Sequence, residues 1–281
     1  MDYIQRARQF KTKKRLGQNF LVDSNIIQKI IDEADLSGDE TVIEIGPGIG
    51  FVTEQLAEHV KKVIAIELDE QAIFQLQKLP YSNIEIINKD ILQVNIGDLV
   101  DQPVKIIANI PYYITSPILV HLLGEIDQQD YENRKSVKEI IIMVQYEVAK
   151  RMIANEKSPS KDYGLLSILV NFWSVSELIC KVPAKSFYPI PAVDSALIKL
   201  TIRENPIIEL ENPKLFRRVI QACFGKRRKN IKNALTMGGF TAESVQNALA
   251  KAGIDPVRRG ETLSLEEFKA VTDVISDYLK P

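Results

Sequence analysis

Residues 42–50, with the sequence VIEIGPGIG, decide the fold. The apolar residues of the first half are typical of a buried strand. Gly46, Gly48 and Gly50 then predict a tight turn that leads into a helix near residues 51–59. Glycine reaches backbone angles that other residues avoid, and it lets the backbone approach a ligand closely. A tight turn without any ligand can use the same residues, so the turn alone does not establish a binding site.

Two acidic residues near this turn indicate which ligand it would serve. Glu44 precedes the turn, and a buried carboxylate there would repel a pyrophosphate but would suit a ligand with a positive end. Glu67 ends the next apolar run, where an acid can accept hydrogen bonds from ribose hydroxyls. The dinucleotide fingerprint GxGxxG would need glycine where this chain has Phe51. The pattern therefore favours S-adenosylmethionine over a nicotinamide dinucleotide, and it disfavours a nicotinamide oxidoreductase.

The charges of the 281 residues sum to −1 at pH 7, but they are unevenly spread. Residues 1–15 hold six Lys and Arg against one acid, and residues 204–281 hold thirteen against ten. Residues 16–203 hold 17 basic residues against 26 acidic ones. Basic ends around an acidic middle predict a polyanionic partner that is held by the ends.

Several function classes are disfavoured by what the sequence lacks. Cys180 and Cys223 form no CxxC pair, and with only His59 and His121 they predict neither a disulfide framework nor a metal site. No apolar run approaches the ~18 residues of a membrane span. The basic residues 6–15 are not followed by the apolar segment of a signal peptide. We expect a cytoplasmic protein without metal or membrane contact, and a monomer, because nothing signals an oligomer.

Alternating strands and helices predict an α/β fold. We expect seven strands, at residues 41–46, 62–67, 84–88, 104–109, 138–144, 177–182 and 195–202. The near-continuous Ile and Val of the first five indicate a parallel sheet covered on both faces, and the last two have no helix between them and predict an antiparallel edge. Helices are expected near 24–34, 51–59, 70–78, 116–124, 146–154, 164–173, 213–224, 229–237, 242–251 and 264–279. The predicted parts are a basic arm at 1–15 that is mobile until bound, an α/β domain at 16–203 and a smaller all-α domain at 204–281.

Asn109, Ile110, Pro111 and Tyr112 follow a predicted strand, at the same sheet edge as the glycine turn. The Asn109 side-chain oxygen and the Ile110 carbonyl oxygen are two acceptors that can hydrogen-bond both N–H groups of an exocyclic amine. The lone pair of that nitrogen would then point toward an electrophile. Tyr112 offers a flat face for a base. Asp90 also ends a strand and could accept a hydrogen bond from the amino group of a cofactor adenine. The structural alternatives are a turn cap at Asn109 and a helix N-cap at Asp90.

Seven motifs in order carry a family resemblance: LGQNFL (16–21), EIGPGIG (44–50), IELD (66–69), NKDIL (88–92), NIPYYITSPIL (109–119), YGLLS (163–167) and FYPIPAVDSALIKL (187–200). With them the chain resembles the ribosomal RNA adenine N6-dimethyltransferase family, nearest its bacterial small-subunit branch, from about residue 11 to residue 270. The resemblance implies a seven-stranded Rossmann-like methyltransferase fold. It also implies dimethylation, with S-adenosylmethionine, of two adjacent adenines in a hairpin loop near the 3′ end of 16S ribosomal RNA, with the small ribosomal subunit as partner.

Two groups of site residues follow: the residue patterns assign most of them, and the resemblance adds Asn19, Leu21 and Phe187. The cofactor group comprises Asn19, Leu21, Glu44, Gly46, Gly48, Glu67, Asp90 and Asn109. The target-base group comprises Asn109, Ile110, Tyr112 and Phe187, and Tyr112 and Phe187 would sandwich the base. Ile110 is a departure, because Leu is more frequent there in the small-subunit branch and Ile is frequent in large-subunit relatives. A large-subunit (23S) enzyme that gives macrolide resistance therefore stays open as an alternative. A ribosome-assembly factor with dispensable catalysis is a separate alternative, in which the same scaffold binds without needed chemistry.

A basic cluster is predicted at the start of a helix in the C-terminal domain. It comprises Lys226, Arg227, Arg228, Lys229 and Lys232, five positive charges in seven positions. Lys and Arg that contact phosphates strengthen RNA binding and steepen its dependence on salt. The sequence therefore predicts an RNA contact here, and a solvated basic surface is the structural alternative.

Overall fold

The structure, a computed structural model, describes residues 3–13 and 16–279. Its strands are β1 (Phe20–Leu21), β2 (Thr41–Ile45), β3 (Lys62–Glu67), β4 (Ile84–Asn88), β5 (Val104–Asn109), β6 (Val137–Gln145), β7 (Ser174–Val182), β8 (Phe187–Tyr188) and β9 (Ser195–Ile202). Seven of them form one sheet in the order β4-β3-β2-β5-β6-β9-β7. The α/β class and the seven-stranded Rossmann-like sheet are thus confirmed.

The strand order of this sheet defines where a ligand can bind. Strands β2 to β6 pair in parallel, and β9 pairs antiparallel with β6. The apolar residues of β2 and β5 are buried on both faces, as a covered parallel sheet requires. The chain leaves β2 for β3 on one side and returns to pair β5 on the other. Ligands of open α/β sheets bind at such a switch point, outside the carboxyl ends of the strands.

The helices are α1 (Tyr3–Gln9), α2 (Ser24–Ala34), α3 (Phe51–His59), α4 (Glu70–Leu76), α5 (Thr115–Leu123), α6 (Glu132–Lys135), α7 (Tyr146–Met152), α8 (Leu165–Trp173), α9 (Pro213–Gly225), α10 (Ile231–Met237), α11 (Ala242–Lys251) and α12 (Leu265–Leu279). Capping residues determine several starts: Asp23 accepts a hydrogen bond from the Asn25 N–H before α2, and Asn212 does so from the Leu215 N–H before α9. Ten helices match predicted segments, whereas α1 and the one-turn α6 were not expected.

The chain divides into two compact units, and the division differs from the predicted one. The first unit holds residues up to 124 together with Tyr131–Ala149 and Val175–Glu204. The second unit holds Glu125–Asp130, Lys150–Ser174 and the chain from Asn205 onward. A helical domain that starts only at residue 204 is therefore incomplete, because α8 belongs to the second unit. In that unit Phe172 packs edge-on against Trp173 and also contacts Phe216, so aromatic contacts join α8 to α9.

The predicted mobile arm is ordered over most of the part that the structure describes. Tyr3–Gln9 is helical, Ala7 in it is fully buried, and Arg6 forms an ion pair with Glu54 at 2.6 Å. The Tyr3 ring packs against the Phe51 ring in a tilted arrangement, with 4.6 Å between the ring centroids. Aromatic and ionic contacts thus hold the start of the chain on α3, so the prediction of an arm that is mobile until bound was wrong for this segment. Residues 1, 2, 14 and 15 lie outside the described residues.

Candidate active site

One cavity lies at the carboxyl ends of β2, β3 and β5 in the first unit, as the switch point predicts. Five segments line it: residues 16–21, 44–49 with 51 and 52, 66–68, 89–91, and 109–114 with Ile118. Of the predicted cofactor group and target-base group, Phe187 alone is missing from this lining. The structure therefore brings all the other predicted site residues of the two groups together.

The glycine turn gives the cavity its floor. Gly46 and Gly48 have φ angles of 70° and 59°, in the left-handed region that favours glycine. A Cβ on Gly48 would lie 2.8 Å from the Phe20 ring, and one on Gly46 would lie 3.3 Å from the Asn109 carbonyl oxygen. The turn thus touches the lip of the cavity, residues 16–21, on one side and the start of the Asn109 loop, residues 109–114, on the other.

Glu67 is held at the end of β3 by backbone donors. The Gly48 N–H donates to its Oε2 at 2.9 Å, and the Leu68 and Asp69 N–H groups donate to its Oε1 at 2.8 Å. Burial raises the pKa of this carboxyl above its usual range, and the three N–H groups partly oppose the rise. A carboxylate has about four lone-pair sites, so Oε2 keeps a free acceptor position, and Glu67 lines the cavity.

Glu44 is buried at 3% exposure, and its Oε2 has no hydrogen-bond partner within the described part of the chain. Burial raises its pKa to about 8; the nearby Thr53 hydroxyl opposes this rise and the charge of Glu67 adds to it. An isolated buried carboxylate is costly unless it is protonated or paired. Glu44 lines the cavity and suits a cationic ligand group, although its Oε2 itself is enclosed by protein atoms in the free state.

The lip residues and Asp90 have local partners as well as cavity positions. The Asn19 Nδ2 donates to the Gly17 carbonyl at 3.0 Å, which leaves the Asn19 amide oxygen available. Asp90 Oδ1 accepts from the Leu92 N–H at 3.0 Å, so the N-cap interpretation of Asp90 is correct, yet the residue also lines the cavity. Leu21 is buried and pairs with Phe187 across the β1–β8 ribbon.

A clasp of three side chains, of which Gln18 lines the cavity, was missed by the sequence interpretation. Lys13 Nζ and Gln18 Nε2 each lie 2.6 Å from a different oxygen of Asp69, whose side chain is fully buried. Lys13 N also donates to the Gln18 Oε1 at 2.8 Å. The pairing with Lys13 and Gln18 lowers the pKa of Asp69 against the effect of burial. The sequence shows the charge of Lys13 and the acid Asp69 of the IELD motif. The two residues are 56 positions apart, so nothing local indicates that they pair.

The Asn109 loop combines buried and accessible groups. Asn109 is the last residue of β5 and is half-buried, whereas Ile110 is buried at 3% exposure. Tyr112 begins a short 3-10 turn after Pro111. Its hydroxyl lies 2.6 Å from Ser195 Oγ, and burial raises its pKa. Both a polar acceptor and an aromatic face thus border the cavity that holds Glu44 and Glu67.

Phe187 does not lie where the prediction needs it. Its side chain is 2% exposed and packs in the core cluster that contains Phe20, Leu21 and Val182. The ring therefore presents no face to the cavity in this structure, and the expected sandwich of a base between Tyr112 and Phe187 is not formed. The reason is the β1–β8 pairing, a contact across 166 positions that turns this side chain inward.

The basic cluster lies in the second unit, but in a different setting from the predicted one. Lys226–Lys229 form the turn between α9 and α10, and Lys232 lies in the first turn of α10. All five side chains are exposed. Arg227 donates hydrogen bonds to the carbonyl oxygens of Ser160 and Tyr163, the latter at 2.9 Å. Arg227 is thus partly structural, whereas Arg228 and Lys229 have no side-chain partner among the residues described.

Neither a metal centre nor a membrane span is found in residues 3–13 and 16–279. These residues contain no group of three or more His, Cys, Asp or Glu side chains that could hold a metal ion. None of their helices combines the length and apolar character needed to cross a membrane.

Comparison with known sequences identifies the family. The profile of the family described as "Ribosomal RNA adenine dimethylase" matches residues 9–277. A Clostridium botulinum (strain Okra / Type B1) protein named ribosomal RNA small subunit methyltransferase A is 42% identical over 275 residues, which cover 96% of each chain. A Bacillus pumilus protein with the same name is 42% identical over 96% of this chain and 93% of its own.

Two solved structures extend the comparison. The 23S rRNA methyltransferase ErmE is 26% identical, with a TM-score of 0.66 over 92% of this chain and all of that chain. A dimethyladenosine transferase from Plasmodium falciparum is also 26% identical, with a TM-score of 0.72 over 89% of this chain and 94% of its own. The family profile matches residues 9–277, a range that includes every segment lining the cavity. The chain therefore belongs to the ribosomal RNA adenine dimethylase family.

Proposed function

We propose that this protein uses S-adenosylmethionine to dimethylate the N6 amines of two adjacent adenines in a hairpin loop near the 3′ end of 16S ribosomal RNA, as a step in small-subunit biogenesis. The observation that carries the proposal is the shared cavity: acidic groups suited to the cofactor and the Asn109 loop suited to an adenine line the same space. The family supports the reaction, and the names of the relatives support the substrate.

The cofactor fits the donor set of the cavity. The unpaired Glu44 Oε2 accepts a hydrogen bond or charge contact from the cationic end, and Glu67 holds the ribose hydroxyls with its remaining acceptor position. Asp90 accepts from the adenine amino group, while Asn19 and Leu21 close the lip and Gly46 and Gly48 leave room for the methionine part. S-adenosylmethionine, when bound, supplies a sulfonium methyl group that a nitrogen lone pair can attack.

The Asn109 loop holds the target amine. The Asn109 side-chain oxygen and the Ile110 carbonyl oxygen accept hydrogen bonds from the two N–H groups of this amine. The half-buried Tyr112 ring supports the flipped base. The proton of an aromatic amine is not acidic, so a general base is not the first requirement. Catalysis rests on in-line positioning and on acceptors that favour the developing tetrahedral nitrogen. Phe187 would contribute a second stacking face only if its ring left the core.

The second unit grips the RNA backbone. Arg228, Lys229, Lys226 and Lys232 are exposed and bind phosphates, and Arg227 adds to them while it also holds the 160–163 loop. The partner is the small ribosomal subunit with its RNA, encountered in the cytoplasm, and the protein acts as a monomer.

A large-subunit target is the competing assignment, because ErmE is named as a 23S rRNA methyltransferase. Identity favours the small subunit: 42% to the relatives that bear that name against 26% to ErmE. A ribosome-assembly factor with dispensable catalysis is the other alternative. The acceptors that chemistry requires, at Glu67, Asp90 and Asn109, all line the cavity, which favours an enzyme.

The test gives the purified protein each ribosomal subunit separately, with S-adenosylmethionine that carries a labelled methyl group. We expect label in small-subunit RNA as N6,N6-dimethyladenosine. Label in large-subunit RNA alone would favour the macrolide-resistance activity, and absence of label from both would contradict an enzyme.

A further inference from the structure

We infer that Ser195 is a positioning residue for methyl transfer: its hydroxyl fixes the Tyr112 ring on which the target adenine stacks. The inference rests on the proposed function and deepens it, because it concerns how the base is held. The Tyr112 hydroxyl and Ser195 Oγ are 2.6 Å apart, and either can be the donor. The two residues are 83 positions apart in the chain, so the contact is a product of the fold.

The antiparallel edge of the sheet explains how Ser195 reaches the cavity. Because β9 runs antiparallel to β6, its first residue lies at the edge where the parallel strands end. Ser195 pairs there with Gln145, the last residue of β6, two residues beyond the Met143 that pairs with Asn109. Tyr112 follows Asn109 by three residues, so the start of β9 and the Asn109 loop meet.

Ser195 is a rigid anchor. Its side chain is fully buried, and Asp194 beside it is held in three ways. The Asp194 carbonyl accepts from the Tyr146 N–H at 3.0 Å, its Oδ1 accepts from the Ala184 N–H at 3.0 Å, and its Oδ2 lies 2.8 Å from Lys181 Nζ. These contacts fix the backbone next to Ser195.

Tyr112 needs such an anchor because its own turn fixes it weakly. Residues 112–114 form a single 3-10 turn without a side-chain cap, and the ring is only half-buried. Stacking uses the face of a ring and does not require a hydroxyl. The hydroxyl therefore serves to hold the ring plane, in the way that supporting hydrogen bonds hold other functional side chains in productive geometry.

The same segment of chain also reaches the cofactor side of the cavity. Phe187 and Tyr188 pair with Leu21 and Phe20 at the lip, the Ser186 carbonyl accepts from the Val22 N–H at 2.9 Å, and Ser186 Oγ lies 2.8 Å from Asp23 Oδ2. Residues 186–195 thus tie the lip to Tyr112. The relative placement of the methyl donor and the base depends on this tie.

The experiment is a double-mutant cycle on methyl transfer with Ser195→Ala, Tyr112→Phe and the double variant. Loss of one hydrogen bond typically changes an equilibrium by roughly two- to tenfold, and we expect each single variant to lower kcat/KM by about that factor. The double variant should be no worse than either single one, because both remove the same bond. Affinity for S-adenosylmethionine should stay unchanged in all three.

A second readout follows the base directly. RNA with 2-aminopurine at the target position should be quenched on binding the wild type, through stacking on Tyr112, and quenched less on binding Ser195→Ala. Ser136→Ala is the matched control: Ser136 is also buried and donates to the Glu132 carbonyl at 3.1 Å, but it precedes β6, at the opposite edge of the sheet. We expect Ser136→Ala to keep the wild-type rate and quenching.

Three results would overturn the inference. One is a Ser195→Ala variant with wild-type kcat/KM and quenching. Another is a double variant whose loss is the product of the two single losses, since Ser195 would then act independently of the Tyr112 hydroxyl. A lowered melting temperature with an unchanged rate would assign Ser195 a purely structural role. A wild type that transfers no methyl group to RNA would contradict the proposed function, and this inference with it. That outcome is distinguishable from the other three, because in each of them the wild type is active.

Discussion

Replacing Glu44 by glutamine should remove a pH dependence that the buried carboxylate imposes on cofactor binding. The pKa of Glu44 is raised from its ordinary value of 4.5 to about 8, so the group is about nine-tenths protonated at pH 7 in the free protein. A cationic ligand at the unpaired Oε2 favours the carboxylate, so binding releases the proton. Affinity should then fall by up to about tenfold for each pH unit below 8.

Calorimetry at pH 6 and pH 7, in buffers with different ionisation enthalpies, measures both the affinity and the number of protons released. We expect close to one proton released at pH 7 and an affinity up to about tenfold weaker at pH 6 for the wild type. Glu44→Gln should bind more weakly than the wild type at pH 8 and show neither the slope nor the proton. Equal wild-type affinities at the two pH values, or a slope that persists in Glu44→Gln, would refute the assignment.

The raised pKa of Glu44 also predicts how the stability of the free protein depends on pH. The folded pKa of Glu44 lies above its unfolded value, so the protonated form is favoured on folding and the stabilisation is complete below about 4.5. It declines as the pH rises toward about 8, by up to about 1.4 kcal/mol per pH unit. Thermal melts of the wild type and Glu44→Gln over this window should therefore diverge, with the variant less sensitive to pH.

Four further predictions concern Gly48 of the glycine turn, Glu67 as the proposed ribose acceptor, and the basic cluster. Gly48→Ala should destabilise the protein by roughly 1–3 kcal/mol in thermal melts and weaken cofactor binding, because its φ is 59° and the new methyl would lie 2.8 Å from an aromatic ring. Glu67→Ala should weaken S-adenosylmethionine binding by roughly 1.5–3 kcal/mol in calorimetry, since hydrogen bonds to a charged acceptor are removed. A variant with both Arg228 and Lys229 changed to Ala should bind small subunits with a weaker dependence on salt. The slope of log affinity against log salt concentration should become shallower by about 0.7–0.9 for each phosphate contact that the variant loses. Arg227→Ala should also lower the melting temperature, because it removes two hydrogen bonds to carbonyl groups.

Controls separate these effects from general damage. Gly164 has φ of −174° and no atom within 4 Å of an added Cβ, so Gly164→Ala should be tolerated where Gly48→Ala is not. An unchanged affinity in Glu67→Ala would remove its assignment to the ribose. A salt slope identical to that of the wild type would mean that Arg228 and Lys229 only solvate the surface.

The sequence predicted the sheet and most of the cavity because both depend on local patterns. Runs of Ile and Val mark buried strands, and the residue at the end of a parallel strand is brought to the cavity by the topology itself. Glu44, Glu67, Asp90 and Asn109 were found in this way, and the cavity lining contains all four.

Contacts between distant segments left no such pattern. The two-residue strands β1 and β8 are too short for any periodicity, so the burial of Phe187 could not be anticipated. The Lys13–Asp69 ion pair and the Tyr112–Ser195 hydrogen bond each join segments that are distant in the chain. The sequence around Lys13 suits a solvated arm, and the sequence around Ser195 suits the start of a strand, so neither segment indicates its partner. The turn at Lys226–Lys229 was mistaken for a helix start because the first capping residue of α10, Asn230, follows the charges.

The central claim is tested most directly in cells that lack this gene, by mapping methylated adenines in small-subunit RNA. The gene is restored either as the wild type or as Asn109→Ala. We predict that the wild type restores two methyl groups on each of two adjacent adenines near the 3′ end. We predict that purified Asn109→Ala transfers methyl groups slower by a factor on the order of 10²–10³, a far larger effect than its loss of affinity for S-adenosylmethionine. Unchanged adenines after restoration of the wild type, or full methylation at the wild-type rate by Asn109→Ala, would contradict the account.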